Sequence, residues 1–122
     1  MVDADYILEQ VGSNPSRVFS AMHTLQSHHL GAGSATQVPD ACTQFHNYQM
    51  TWTAQDMRFA GDGAGLNRYI NPKSGTAAWP FDSPQSLLLN IAIGGDLVGA
   101  IDDRIFPVTM EIDHVRIYQA PN

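Results

Sequence analysis

The apolar positions of this chain fall in short alternating runs, separated by clusters of turn residues. No window of about 11 to 18 residues carries an apolar stripe at the 3.6-residue spacing of an amphipathic helix. The alternation instead predicts strands over residues 4–11, 17–24, 44–53, 56–60, 66–70, 86–93 and 109–119. Between them stand Gly12-Ser13-Asn14-Pro15, Asp62-Gly63, Asn71-Pro72-Lys73-Ser74-Gly75 and Gly94-Gly95-Asp96, all turn-forming combinations. Residues 25–43 are polar and irregular and predict a long surface loop. The expected class is all-β.

Three runs carry more detail. In 44–53, His46, Tyr48, Met50 and Trp52 share one face, and Asn47, Gln49 and Thr51 the other. One face then packs on a core, which assigns His46 and Trp52 to it. In 86–93, Leu87, Leu89, Ile91 and Ile93 form one face, while Leu88, Asn90 and Ala92 form the other. The amide of Asn90 must find partners or face a cleft. In 109–119 the phase slips between Met110, Ile112 and Val115, Ile117, and a bulge near Asp113-His114 would reconcile them.

Length and charge narrow the picture. The chain of 122 residues fits one domain, residues 1–122. A chain of this size can bury roughly 65–70% of its unfolded surface. Twelve acidic against six basic residues give a net charge of −6. That balance argues against nucleic acid and against an anionic membrane surface as partners. No apolar run approaches the roughly 18 residues of a membrane span. Cys42 is the single cysteine, so it forms no internal disulfide and says nothing of the redox compartment. The first residues lack the basic and apolar regions of a signal peptide, so an export signal would lie upstream and localisation stays open.

Family resemblance enters with an ordered set of motifs. These are Glu9-Gln10-Val11-Gly12, Ala21-Met22-His23-Thr24, Phe45-His46-Asn47-Tyr48, Trp52-Thr53, Trp79-Pro80-Phe81-Asp82, Leu88 through Gly95, and Phe106 through Gln119. In this order they resemble the C-terminal half of glycoside hydrolase family 16, the laminarinase-like endo-1,3-β-glucanases, over residues 7–119. The resemblance implies an antiparallel β-sandwich of jelly-roll type with a concave glucan cleft. It implies β-glucan as the partner, retaining hydrolysis as the reaction and no cofactor for catalysis. A complete domain of that family is longer, so this chain reads as a half-domain. Apolar faces and strand edges left uncovered in a half-sandwich call for a second copy or strand exchange, and a homo-oligomer is expected.

A retaining glycosidase needs two carboxyl groups about 5–5.5 Å apart. The family places them on one strand as Glu-x-Asp-x-Glu, or as Glu-x-Asp-x-x-Glu with a bulge. Here the strand reads Asp3-Ala4-Asp5-Tyr6-Ile7-Leu8-Glu9, and Glu9 matches the acid/base position. The bulged spacing sets Tyr6 on the central Asp and Ala4 on the nucleophile, although Ala4 has no nucleophilic atom. With one inserted residue, Asp3 and Asp5 stand for the Glu-x-Asp pair. With the unbulged spacing, Asp5 and Glu9 are the outer carboxylates, and a regular strand sets residues 3, 5, 7 and 9 on one face. The catalytic candidates are therefore Glu9, Asp5 and Asp3, with His23 matching a position beside the family's catalytic centre.

The other candidates are weaker in sequence. Trp79 suits a sugar-stacking platform or a core position, and Asn90 suits the cleft. Asp113 resembles a position that contributes to a structural calcium site, which needs six to eight oxygens and hence other ligands. His28 and His29 read as a solvated loop rather than a metal pair, and Asp102-Asp103-Arg104 as a loop ion pair. Leu97 stands where many relatives carry a sugar-stacking Trp. Gly61 is expected to weaken the strand before the Asp62-Gly63 turn. Two rival readings remain: a glucan-binding module without catalysis, and a self-assembling half-sandwich without activity.

Overall fold

A computed structural model describes residues 4–27, 32–96 and 98–121. Contacts within the backbone divide the chain into two units, one up to Leu88 and one from Leu89 onward. The first unit holds six strands: β1 Ala4–Gln10, β2 Arg17–His23, β3 Ala32–Gln37, β4 Tyr48–Trp52, β5 Asp56–Gly61 and β6 Ala64–Ile70. They form two antiparallel sheets, β1-β2-β3 and β4-β5-β6. In the second unit, a short 3-10 turn at Asp103–Ile105 is the one regular element among the described residues.

Local sequence explains the connections. The β5–β6 hairpin closes on the pair Gly61 and Ala64. Its two loop residues, Asp62 and Gly63, have φ of +48° and +80°. A two-residue hairpin loop of the favoured hand needs positive φ at both positions, and Asp-Gly supplies it at low steric cost. At the β4–β5 turn, the Thr53 hydroxyl accepts from the amides of Gln55 and Asp56 at 3.2 and 3.0 Å. The turn's backbone donors are thereby satisfied without a longer loop.

The two sheets share an apolar core. Met22 from β2 and Met57 and Phe59 from β5 meet Trp79 and Phe81 from the segment after β6. Ile7, Met50, Leu66 and Tyr69 flank them. On β2 the inward positions are Val18, Ser20 and Met22, all at most 1% exposed. Successive side chains of a strand point to opposite faces, so Arg17, Phe19, Ala21 and His23 belong to the other side of that sheet.

Several expectations need correction. Residues 32–37, expected in the long loop, form β3. Its sequence Ala-Gly-Ser-Ala-Thr-Gln has no apolar alternation to announce it, and backbone pairing to β2 holds it. Gly33 fits that pairing tightly: a Cβ there would stand 2.9 Å from the Ser20 carbonyl oxygen. Residues 86–93 and 109–119, expected as strands, form none among the described residues. No neighbouring strand offers them a ladder, and alternation without a ladder does not make a strand. Their apolar side chains stay open to solvent, Leu88 and Ile117 each at 84%. The bulge expected near Asp113 falls away with the strand. Trp52, assigned to the core, is 39% exposed near the end of its sheet. His28, His29 and Leu97 lie outside the described residues. Gly61 remains inside β5, and Asp102 and Arg104 do form the expected ion pair at 2.8 Å.

One buried charge organises the outer end of the second sheet. Asp56 is 2% exposed and takes Arg58 Nε at 2.9 Å, Arg68 Nε at 2.7 Å and the Thr53 hydroxyl at 3.1 Å. Arg58 and Arg68 lie directly opposite each other across β5 and β6, where like charges repel. The hydrogen bond from Arg58, with those of Arg68 and Thr53, holds the Asp56 carboxyl below its ordinary range despite burial. A carboxyl depressed in the folded state stabilises above its unfolded pKa of about 3.9 and loses that contribution as pH falls through the folded value. Urea unfolding midpoints should fall as pH drops below about 4, and Asp56→Asn should flatten that fall.

Candidate active site

Of the catalytic candidates, Asp5 and Glu9 lie on β1 and His23 on β2, and the pairing of these strands decides which row each position joins. Ala4 lies opposite His23, Asp5 opposite Met22 and Tyr6 opposite Ala21. Further along, Glu9 lies opposite Phe19 and Gln10 opposite Val18. Between Tyr6 and Glu9 the register shifts, with three steps on β1 against two on β2. One extra residue in a strand re-aims everything that follows it.

The shift sets positions 4, 6 and 9 on one face, across from His23, Ala21 and Phe19. Position 5 falls on the side of Met22, which is fully buried in the core. The premise that residues 3, 5, 7 and 9 share a face held for a regular strand and does not survive the bulge. Position 5 therefore stands in a different row of the sheet from position 9, and Asp3 lies outside the described residues. Of the three expected alignments, the register shift between Tyr6 and Glu9 agrees with the bulged spacing.

The face around Glu9 is built of modest side chains. Glu9, Phe19 and His23 are half-buried, and Ala21 is 7% exposed. Ala35 and Gly33 of β3 extend the same rows across the sheet, opposite Phe19 and Ala21. Small residues there leave the carboxyl and the Phe19 ring as the prominent groups. The Arg17 guanidinium lies 5.4 Å from the centre of the Phe19 ring, a cation–π distance that steadies the ring. A groove of about 400 Å³ opens beside it, lined by Arg17, Ala35, Thr36 and Gln37.

The remaining candidates sit elsewhere. Trp79 is 3% exposed, stacked on Tyr69 at 5.8 Å and edge-on to Phe81 at 5.2 Å. Its Nε1 donates to Asp82 at 3.1 Å. The ring is thus a core ring here, offering no open face for a sugar. Thr24 and Ser27 exchange hydrogen bonds after β2, and the Gln26 amide donates to the Ala77 carbonyl at 2.9 Å, tying the Trp79 segment to the end of β2. Asn90 and Asp113 are exposed residues of the second unit. The Asp113 carboxylate meets His114 Nδ1 at 3.0 Å. Among the described residues no group of three or more His, Cys, Asp and Glu is arranged to hold a metal. Asp113 offers calcium one carboxylate, far short of six to eight oxygens, so this donor set does not make a site by itself.

A cluster that the sequence did not reveal as one lies at the end of the first unit's second sheet. His46 Nδ1 is 2.7 Å from Asp62 Oδ2, and His46 Nε2 is 3.4 Å from Asp40 Oδ1. In sequence, Asp62 reads only as a turn residue and His46 only as a core residue.

Two antiparallel sheets that share one apolar core, with a bulged first strand bearing a half-buried carboxyl, define a β-sandwich. The particular family follows from comparison with known proteins. The model of glycosyl hydrolases family 16 matches residues 3–114, and the chain belongs to that family. It is 37% identical, over 93% of its length, to a β-glucanase of Rhodothermus marinus, of which it covers 43%. It is 31% identical, over 89% of its length, to a keratan-sulfate endo-1,4-β-galactosidase of Sphingobacterium multivorum, of which it covers 26%. Among solved structures it resembles a point mutant of SCLam, a non-specific endo-β-1,3(4)-glucanase, holding 1,3-β-D-cellobiosyl-glucose at its active site. That match has a TM-score of 0.76 and 38% identity, over 85% of this chain and 40% of the other. A laminarinase from Flavobacterium sp. UMI-01 gives 0.71 and 28%, over 84% and 45%. The chain spans less than half the length of each of these proteins.

Proposed function

We propose that this chain acts on β-glucans by hydrolysis, with Glu9 as the general acid and with the reaction slow because position 4 supplies no nucleophile. The observation that carries the reading is the register shift between Tyr6 and Glu9. It reproduces the bulged spacing of the family's catalytic strand and sets Glu9 on the face of His23. Glu9 would protonate the glycosidic oxygen as the bond breaks; with no nucleophilic atom at position 4, a water molecule would take the anomeric carbon directly and lose its proton to solvent, a slower route than one through a glycosyl-enzyme. His23 would flank the leaving-group side, as its motif implies. The β-glucanase and laminarinase relatives, and the glucan held by the SCLam mutant, support β-glucan as the substrate class.

The same register favours a second reading, glucan binding without cleavage. It sets Ala4 where the family carries its nucleophile, and a methyl group cannot form the glycosyl-enzyme intermediate. Reducing-end release from laminarin separates the two readings. Slow hydrolysis that Glu9→Gln lowers by a further ~100-fold or more supports the first. Calorimetric binding of laminarin with no release supports the second. Release that Glu9→Gln leaves unchanged removes Glu9 from the chemistry.

We also propose that the chain assembles with a second copy. The exposed Leu88, Ile91, Ile112 and Ile117 and the unpaired alternation around them support this. Light scattering behind size exclusion should give a dimer or larger at micromolar concentration. A monodisperse monomer would contradict it.

A further inference from the structure

His46 stands between two carboxylates from different parts of the first unit. Asp62 is in the β5–β6 turn, and Asp40 is in the connection between β3 and β4. The imidazole is 12% exposed, and Nε2 is buried without a hydrogen bond although the Asp40 oxygen is 3.4 Å away. A neutral imidazole carries one N–H. Whichever nitrogen bears it, the other then turns a lone pair toward a carboxylate. Only the imidazolium offers a donor to both.

Asp62 is itself fixed by the backbone. Its Oδ1 accepts the Asn47 amide at 2.8 Å, and its own amide donates to the Asn47 carbonyl at 2.8 Å. It holds a left-handed φ of +48°, which Asp and Asn tolerate best among side-chain-bearing residues. Beside the cluster is a cavity of about 160 Å³, lined in part by Thr36, Gln37, His46, Tyr48, Asp62 and Leu66. The His46 and Tyr48 rings are 6.1 Å apart. Among the described residues, the titratable groups facing His46 are Asp40, Asp62 and Tyr48, with Cys42 in the same connection.

We propose that His46 is a pH-sensitive latch: as the imidazolium it ties the β3–β4 connection to the β5–β6 turn across this cavity, and its deprotonation as pH rises releases the connection. The direction of titration agrees. The hydrogen bond to Asp62, with the charges of Asp62 and Asp40, raises the His46 pKa above its ordinary 6.5 despite burial. The hydrogen bonds from His46 and the Asn47 amide hold Asp62 below its ordinary range. A raised histidine stabilises fully below its unfolded pKa and loses that contribution as pH rises through the folded value. A depressed aspartate loses its contribution as pH falls through its own folded value. The latch therefore holds in a band bounded by Asp62 on the acid side and by His46 on the alkaline side. The inference stands apart from any action on glucans.

The test is an NMR titration of the imidazole resonances of the intact chain. His46 should titrate above pH 6.5, and its midpoint should fall by about one unit or more in Asp62→Asn, a substitution that keeps the left-handed φ. Asp40→Asn should lower it by less. Over the same pH range, amide exchange at Asn47 should accelerate beyond the intrinsic base-catalysed rise, and not in His46→Gln. A His46 midpoint at or below 6.5 overturns the proposal, as does a midpoint that Asp62→Asn does not move. Should His46→Gln fail to fold, the two aspartate variants give the same decision.

Discussion

Replacing Ala4 by Glu and Tyr6 by Asp together is expected to raise reducing-end release from laminarin on the order of 10³-fold. Loss of a nucleophile from a set of coupled catalytic groups costs several orders of magnitude, and restoring one recovers much of it. The gain depends on the bulge. Because the register shifts between Tyr6 and Glu9, positions 4, 6 and 9 lie on one face of β1. A glutamate at 4 would then share the face of Glu9, and an aspartate at 6 would stand between them to tune its charge. Lengthening Asp5 to Glu should do nothing of the kind, since position 5 lies on the Met22 side. Adding Glu9→Gln to the double variant should remove the gain. Were Asp5→Glu to gain activity and the double variant to stay silent, the strand would be in the unbulged register.

Trp79→Ala is expected to cost about 3–5 kcal/mol of stability, read from urea unfolding. Folded domains are stable by only about 5–15 kcal/mol, so much of the margin would go. The cost follows from where the ring lies. It is 3% exposed between Tyr69 and Phe81, within the cluster that also holds Met22, Met57 and Phe59. Aromatic pairs add about 0.5–1.5 kcal/mol beyond area burial, and removing the ring ends two of them. The indole also loses its hydrogen bond to Asp82. Tyr69, whose hydroxyl donates to the Ala78 carbonyl at 2.9 Å, would lose its stacking partner. A sugar platform would behave in the opposite way: the urea midpoint would hold while laminarin affinity dropped. That outcome would return Trp79 to the binding surface.

Much of the first unit was legible because local chemistry and alternation agreed. Asp62-Gly63 marked its hairpin, since few other pairs take positive φ twice. β2 showed its alternation in Val18, Ser20 and Met22, although Ser20 is a polar residue in an inward row. β3 stayed hidden because its six residues are small or polar and their pairing is a property of the backbone. The opposite error arose at 86–93 and 109–119. Their alternation is real, but a strand needs a neighbour, and none of the described residues provides one.

At the site, the motifs carried the family and pointed to Glu9 as the expected acid/base, but they left three alignments of the first strand open. Spacing in sequence cannot reveal a bulge; the pairing to β2 does. Trp79 was ambiguous because an aromatic before Pro80 suits a platform and a core equally well. The pairs His46–Asp62 and Asp56–Arg68 join residues on different elements, so no local pattern could announce them.

The account depends most on the face of β1 and β2 that carries Glu9 being the one that meets glucan. Backbone amide shifts recorded during titration with laminarin oligosaccharides test this directly. The expected result is saturable perturbation at Glu9, Phe19, Ala21 and His23. Perturbation confined to Thr51, Arg58 and Arg68 on the outer side of the other sheet, or none at saturating sugar, would contradict it.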